Sequence, residues 1–88
     1  MMQAAVQEDV FVLPVERELA VHELAAAAGL PDPHEPTAPE FEVYLRAALS
    51  FGRKRAEWSE AFGACSELLY RFVRGERVSF GGTVLCKN

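Results

Sequence analysis

"RVSFGGTVLCK", residues 77–87, holds two short apolar runs around a pair of glycines. That is the pattern of a β-hairpin with a two-residue turn, because both central positions of such a turn favour a positive φ. If Phe80 pairs with Thr83, Val78 stands opposite Leu85. Val78, Phe80 and Leu85 then share the core face, and Arg77, Ser79, Val84 and Cys86 take the other. A lone hairpin is marginal in water, so a third strand is needed. The best candidate is "DVFVL", residues 9–13, which is β-branched and aromatic. We expect it to join the hairpin in a small antiparallel sheet. It is apolar at every position from Val10, which predicts cover on both of its faces.

Helical periodicity fills the interval. The first helix is expected over about 14–28. Pro14 suits its start, Glu16 and Glu18 its first turns, and Gly29 with Pro31 its end. Val21, Leu24 and Ala28 make its apolar face. "PDPHEPTAP", residues 31–39, has four prolines in nine residues. It reads as a stiff extended connection and as a candidate surface. Thr37 followed by Glu40 forms a capping box for a second helix, with Gly52 as a plausible terminator. Phe41, Tyr44, Leu45, Ala48, Leu49 and Phe51 form its apolar stripe. The third helix lies in residues 56–75. Trp58, Ala61, Phe62, Cys65, Leu68, Leu69, Phe72 and Val73 recur there at helical spacing. Gly63 interrupts it and is expected to mark a close crossing or a kink. The expected fold is small α+β: one domain over 1–88, three helices and a C-terminal hairpin joined by the N-terminal strand.

Eighty-eight residues support one modest core, and half of them are apolar. A chain of this size buries roughly 60–65% of its unfolded surface. The longest apolar runs are too short to span a bilayer. No cationic leader precedes Glu8 and Asp9, so a cytoplasmic setting is expected. Cys65 and Cys86 form no CxxC pair and no metal-ligand spacing, and are expected as thiols.

Chemistry-bearing motifs are sparse. "VHEL" places His22 beside Glu23, but Ala26 stands where an HExxH zinc motif needs its second histidine. His22 is expected on the exposed side of its helix. His34 lies between Asp32 and Glu35 without a Cys or second His nearby in sequence, a thin case for a metal. Glu16 and Glu18 look like helix-end solvation. No nucleophile motif, P-loop or GxGxxG occurs. Neither an enzyme nor a cofactor is expected.

Charge is more informative. Residues 1–44 carry nine acids and one base, whereas residues 45–88 carry eight bases and four acids. Either the halves neutralise each other in the fold, or each offers a surface of one sign to a partner. In "FGRKRAEW", residues 51–58, the cluster Arg53, Lys54 and Arg55 follows the negative end of the second helix. It is either a solvated corner or a docking patch. Arg74 and Arg77 are the further candidate contacts, and Arg46, Arg71 and Lys87 would join them if the bases converge. Trp58 fits the core better than a base-stacking role.

The functional expectation is a non-catalytic protein-binding protein. It would be an adaptor or an inhibitor, of which an antitoxin or anti-defence protein imitating nucleic acid with its acidic half is one form. The expected partner is another protein, with a homodimer suggested by the doubly apolar strand and no membrane association. The alternative is a DNA-binding regulator, since three helices before a hairpin share the element order of a winged helix. The acidic balance weighs against nucleic acid.

Overall fold

The computed structural model describes residues 9–87. These form β1 (Val10–Val12), α1 (Val15–Ala27), α2 (Ala38–Gly52), a 3-10 turn (Ala56–Trp58), α3 (Ser59–Val73), β2 (Arg77–Phe80) and β3 (Thr83–Leu85). The α+β architecture expected from the pattern is present.

The hairpin has the expected register. Val78 pairs with Leu85 and Phe80 with Thr83, antiparallel. Gly81 and Gly82 adopt φ of 60° and 81°, the left-handed turn that only glycine enters without strain. β1 does join the hairpin, giving the order β1-β2-β3. Its direction differs from expectation. β1 runs parallel to β2, with Phe11 beside Val78, so the sheet is mixed rather than antiparallel. Side-chain alternation is the same for both directions. A parallel neighbour needs a long crossover, and the three helices between β1 and β2 supply it.

The expectation that β1 is covered on both faces also fails. Leu13, just beyond it, is buried and Phe11 is partly buried, but Val12 is 59% exposed. The helices cover the sheet face that carries Val78, Phe80 and Leu85. Val12, Ser79 and Val84 form a row across the opposite face, where Val84 is also exposed.

The core is built where the stripes meet. α1 buries Val21, Leu24 and Ala25, and α2 buries Phe41, Tyr44, Leu45 and Ala48. α3 buries Ala61, Ala64, Cys65, Leu68, Leu69 and Phe72. Phe41 sits at the centre. It meets Phe72 edge-on at 5.1 Å between ring centroids and Phe80 at 5.4 Å, in the range where aromatic pairs add to area burial. Trp58 only flanks this core, half-buried.

α2 begins as its capping box requires. The Glu40 backbone N–H donates to Thr37 Oγ1 at 3.3 Å, and Thr37 N–H donates to Glu40 Oε1 at 2.9 Å. At the other end Gly52 is the last helical residue, and it is buried because α1 presses on it. A Cβ at that position would lie 3.0 Å from Leu24 Cδ1. The close crossing anticipated at Gly63 is found instead at Gly52: among the described residues, only Arg17 Nη2 comes near a Cβ placed at Gly63, at 3.9 Å.

Candidate functional site

The basic corner is formed by the end of α2 and the turn after it. Arg53, Lys54 and Arg55 are all exposed. Arg53 N–H donates to the Leu49 carbonyl at 2.9 Å, which closes the helix. Arg55 folds back: its Nη1 donates to the Phe51 carbonyl at 2.6 Å, and its guanidinium lies 4.0 Å from the centre of the Phe51 ring. The cations sit at the negative end of the α2 dipole, which favours them. Phe51 and Trp58, both half-buried, flank them with apolar surface.

The other two candidate contacts are elsewhere. Arg74 and Arg77 lie beyond the C-terminal end of α3, whereas the corner precedes its N-terminal end. Fifteen helical residues separate them, about 22 Å at 1.5 Å per residue. The five residues therefore do not make one surface. Arg74 donates to the Tyr70 hydroxyl at 3.2 Å and lies 3.9 Å from Glu76.

Most remaining bases are taken up by acids of the same chain. Glu67 faces Arg17 and Arg71, each at 3.3 Å, and Arg71 reaches Glu76 at 3.1 Å. Glu42 pairs with Arg46 at 2.9 Å and Lys87 at 3.1 Å, and these partners hold its carboxyl below the usual carboxylate range. Glu42 with Arg46 and Lys87 pairs an acid of the acidic half with bases of the basic half, so part of the charge asymmetry is cancelled inside the fold, whereas Arg17 with Glu67 pairs the minority charge of each half. Among the described residues, Arg53, Lys54 and Arg55 make no ion pair with a carboxylate. The corner is thus the part of the basic half left unneutralised by this pairing.

A second feature is anchored by His22, which sequence reasoning placed on an exposed face. The ring is instead partly buried and stacked on Phe80 at 4.4 Å, with 14° between the planes. Nδ1 lies 3.2 Å from Asp32 Oδ1, and Nε2 lies 3.4 Å from Glu18 Oε2. Glu18 is not merely helix-end solvation: its Oε2 accepts the Gly81 N–H at 2.8 Å. These contacts tie α1, the proline connection and the hairpin tip together. The i,i+4 spacing of Glu18 and His22 was the available signal. The reach to Gly81, 63 residues away, had none.

The proline connection forms a wall between two concavities. One, of about 300 Å³, has His22, Phe80 and Gly81 against the wall. The other, of about 260 Å³, lies between the wall and α2 and is lined by Leu30, Val43 and Tyr44. Asp32, Pro33, His34 and Pro36 line both. Tyr44 is 7% exposed, and burial with the nearby Asp32 charge pushes its hydroxyl up to about 12. Among the described residues no group of three or more His, Cys, Asp or Glu is arranged to hold a metal ion.

Both cysteines are free thiols. Cys65 is buried, with its thiol pointing to the Leu45 carbonyl at 3.7 Å, and desolvation pushes it up to about 12. Among the described residues no helix is long and apolar enough to cross a membrane. No known family model matches the chain, and no curated protein or solved structure matches it.

Proposed function

We propose that this is a non-catalytic protein-binding protein, an adaptor or an inhibitor, that seats Arg53, Lys54 and Arg55 against an acidic surface of another protein. The observation that supports this is the contrast in pairing. Glu42, Glu67 and Glu76 engage Arg17, Arg46, Arg71, Arg74 and Lys87, while among the described residues Arg53, Lys54 and Arg55 pair with no carboxylate. A partner carboxylate therefore gains a cation without breaking an internal pair. Complementary charge of this kind raises the association rate and fixes orientation. Arg55 is already held by Phe51, so less side-chain entropy is lost on docking. An inhibitor of antitoxin or anti-defence type would instead turn the acidic half toward a basic target, and two free thiols suit a cytoplasmic setting.

The test is charge reversal at two places. Arg53→Glu/Lys54→Glu/Arg55→Glu is expected to weaken the partner complex at least tenfold. Arg74→Glu, at the far end of α3, is expected to leave it within about threefold. Equal affinity of the triple variant and the parent chain refutes the proposal.

A homodimer is a second reading, favoured by the bare row of Val12 and Val84 on the outer sheet face. Sedimentation of the parent chain against Val84→Lys tests it. A dimer lost in the variant supports it, and a monomer at high concentration removes it.

A further inference from the structure

We propose that the groove between the proline connection and α2 docks a segment of a second protein that carries one large apolar side chain between basic residues. The floor and walls supply the apolar part. Leu30, Pro31, Pro36, Val43 and Tyr44 line the groove, and Val43 is 68% exposed on a helix that is otherwise well packed on its inner face. At about 260 Å³ the groove falls below the roughly 300–1,000 Å³ of pockets for whole ligands. It suits an anchoring side chain.

Charge selects what flanks that anchor. Asp32 and Glu40 line the groove, whereas Glu35 lines the concavity on the other side of the wall. Among the described residues, no arginine or lysine lines it. A segment with lysine or arginine on either side of the anchor meets carboxylates, whereas an acidic segment is repelled. The groove is also held open. Prolines stiffen the wall, the capping box fixes the start of α2, and His22 holds Asp32. Docking then orders little of this chain.

This surface is independent of the basic corner. Val43 and Gly52, where the corner begins, are nine residues apart on α2, about 13 Å along it, and the two surfaces select opposite charge.

The experiment is selection from a displayed library of random peptides on the immobilised full chain, followed by affinity measurement of enriched peptides. The expected result is enrichment of peptides with a Leu, Ile, Phe or Trp between Lys or Arg residues. Their binding is expected to fall at least tenfold with Val43→Lys and to fall with Asp32→Lys, and to be unchanged by Arg53→Glu. Val43 is exposed, so its variant keeps the fold, and Asp32→Lys reports independently from the loop. Three results overturn the proposal: no enrichment of basic-flanked apolar peptides, enriched peptides indifferent to both variants, or self-association of the chain abolished by Val43→Lys, which makes a second copy the occupant. Acidic peptides lost only with Arg53→Glu support the corner while leaving the groove without its ligand, so the two proposals fail separately.

Discussion

His22 lies flat on Phe80, with ring centroids 4.4 Å apart, and so fixes the hairpin tip against α1. The same ring reaches Glu18 and Asp32, so one side chain joins three parts of the chain. Stacked aromatic pairs contribute about 0.5–1.5 kcal/mol beyond area burial. His22→Ala is expected to lower stability by about 1–2 kcal/mol, read as a shift of the urea midpoint at constant slope. Hydrogen exchange at the Gly81 amide should accelerate more than at core amides, because its acceptor Glu18 loses a neighbour.

The two interior glycines make opposite predictions. At Gly52 an added methyl meets the buried Leu24 at 3.0 Å, and overpacking costs about 1–3 kcal/mol. Gly52→Ala should destabilise. At Gly63 an added Cβ would meet, among the described residues, the tip of Arg17 at 3.9 Å, while glycine costs a helix up to about 1 kcal/mol against alanine. Gly63→Ala should raise the melting temperature by roughly 4–8 °C, the shift about 1 kcal/mol gives in a domain of this size. A fall on Gly63→Ala would show a contact there that the geometry lacks.

Buried acids set an alkaline limit. The Cys65 thiol is pushed from 9.0 up to about 12, and the Tyr44 hydroxyl from 10.0 up to about 12. Between about pH 9 and 12 the unfolded chain loses these protons while the folded chain keeps them. Stability is therefore full below pH 9 and falls as pH rises through that window. Cys65→Ala should flatten the pH 9–10 part of the fall, measured by denaturant melts at each pH relative to neutral. In the native state at pH 8 a thiol reagent should label Cys86 before Cys65, since Cys65 is buried.

The fold was largely legible because its signals are local. The Gly81-Gly82 turn, the Thr37–Glu40 box and the apolar stripe of α3 each depend on residues a few positions apart. Strand direction was not legible, since alternation in "VFV" is the same for parallel and antiparallel neighbours. Nor was the pairing of Glu18 with Gly81 or Glu42 with Lys87, which only the tertiary path brings together. The candidate site was legible in part. Arg53, Lys54 and Arg55 are contiguous in sequence and remain a patch, whereas Arg74 and Arg77 were grouped with them by charge alone and stand an α3 length away. His22 was misplaced because its partner ring, Phe80, is 58 residues distant.

The central claim is that the corner at 53–55 binds a protein. The most direct measurement is a tagged pull-down from lysate of the organism that encodes the chain, run with and without nuclease, comparing the parent with Arg53→Glu/Lys54→Glu/Arg55→Glu. The account predicts a stoichiometric protein that survives nuclease with the parent and is lost with the variant. Recovery of nucleic acid alone, or of a protein held equally by both, would contradict it.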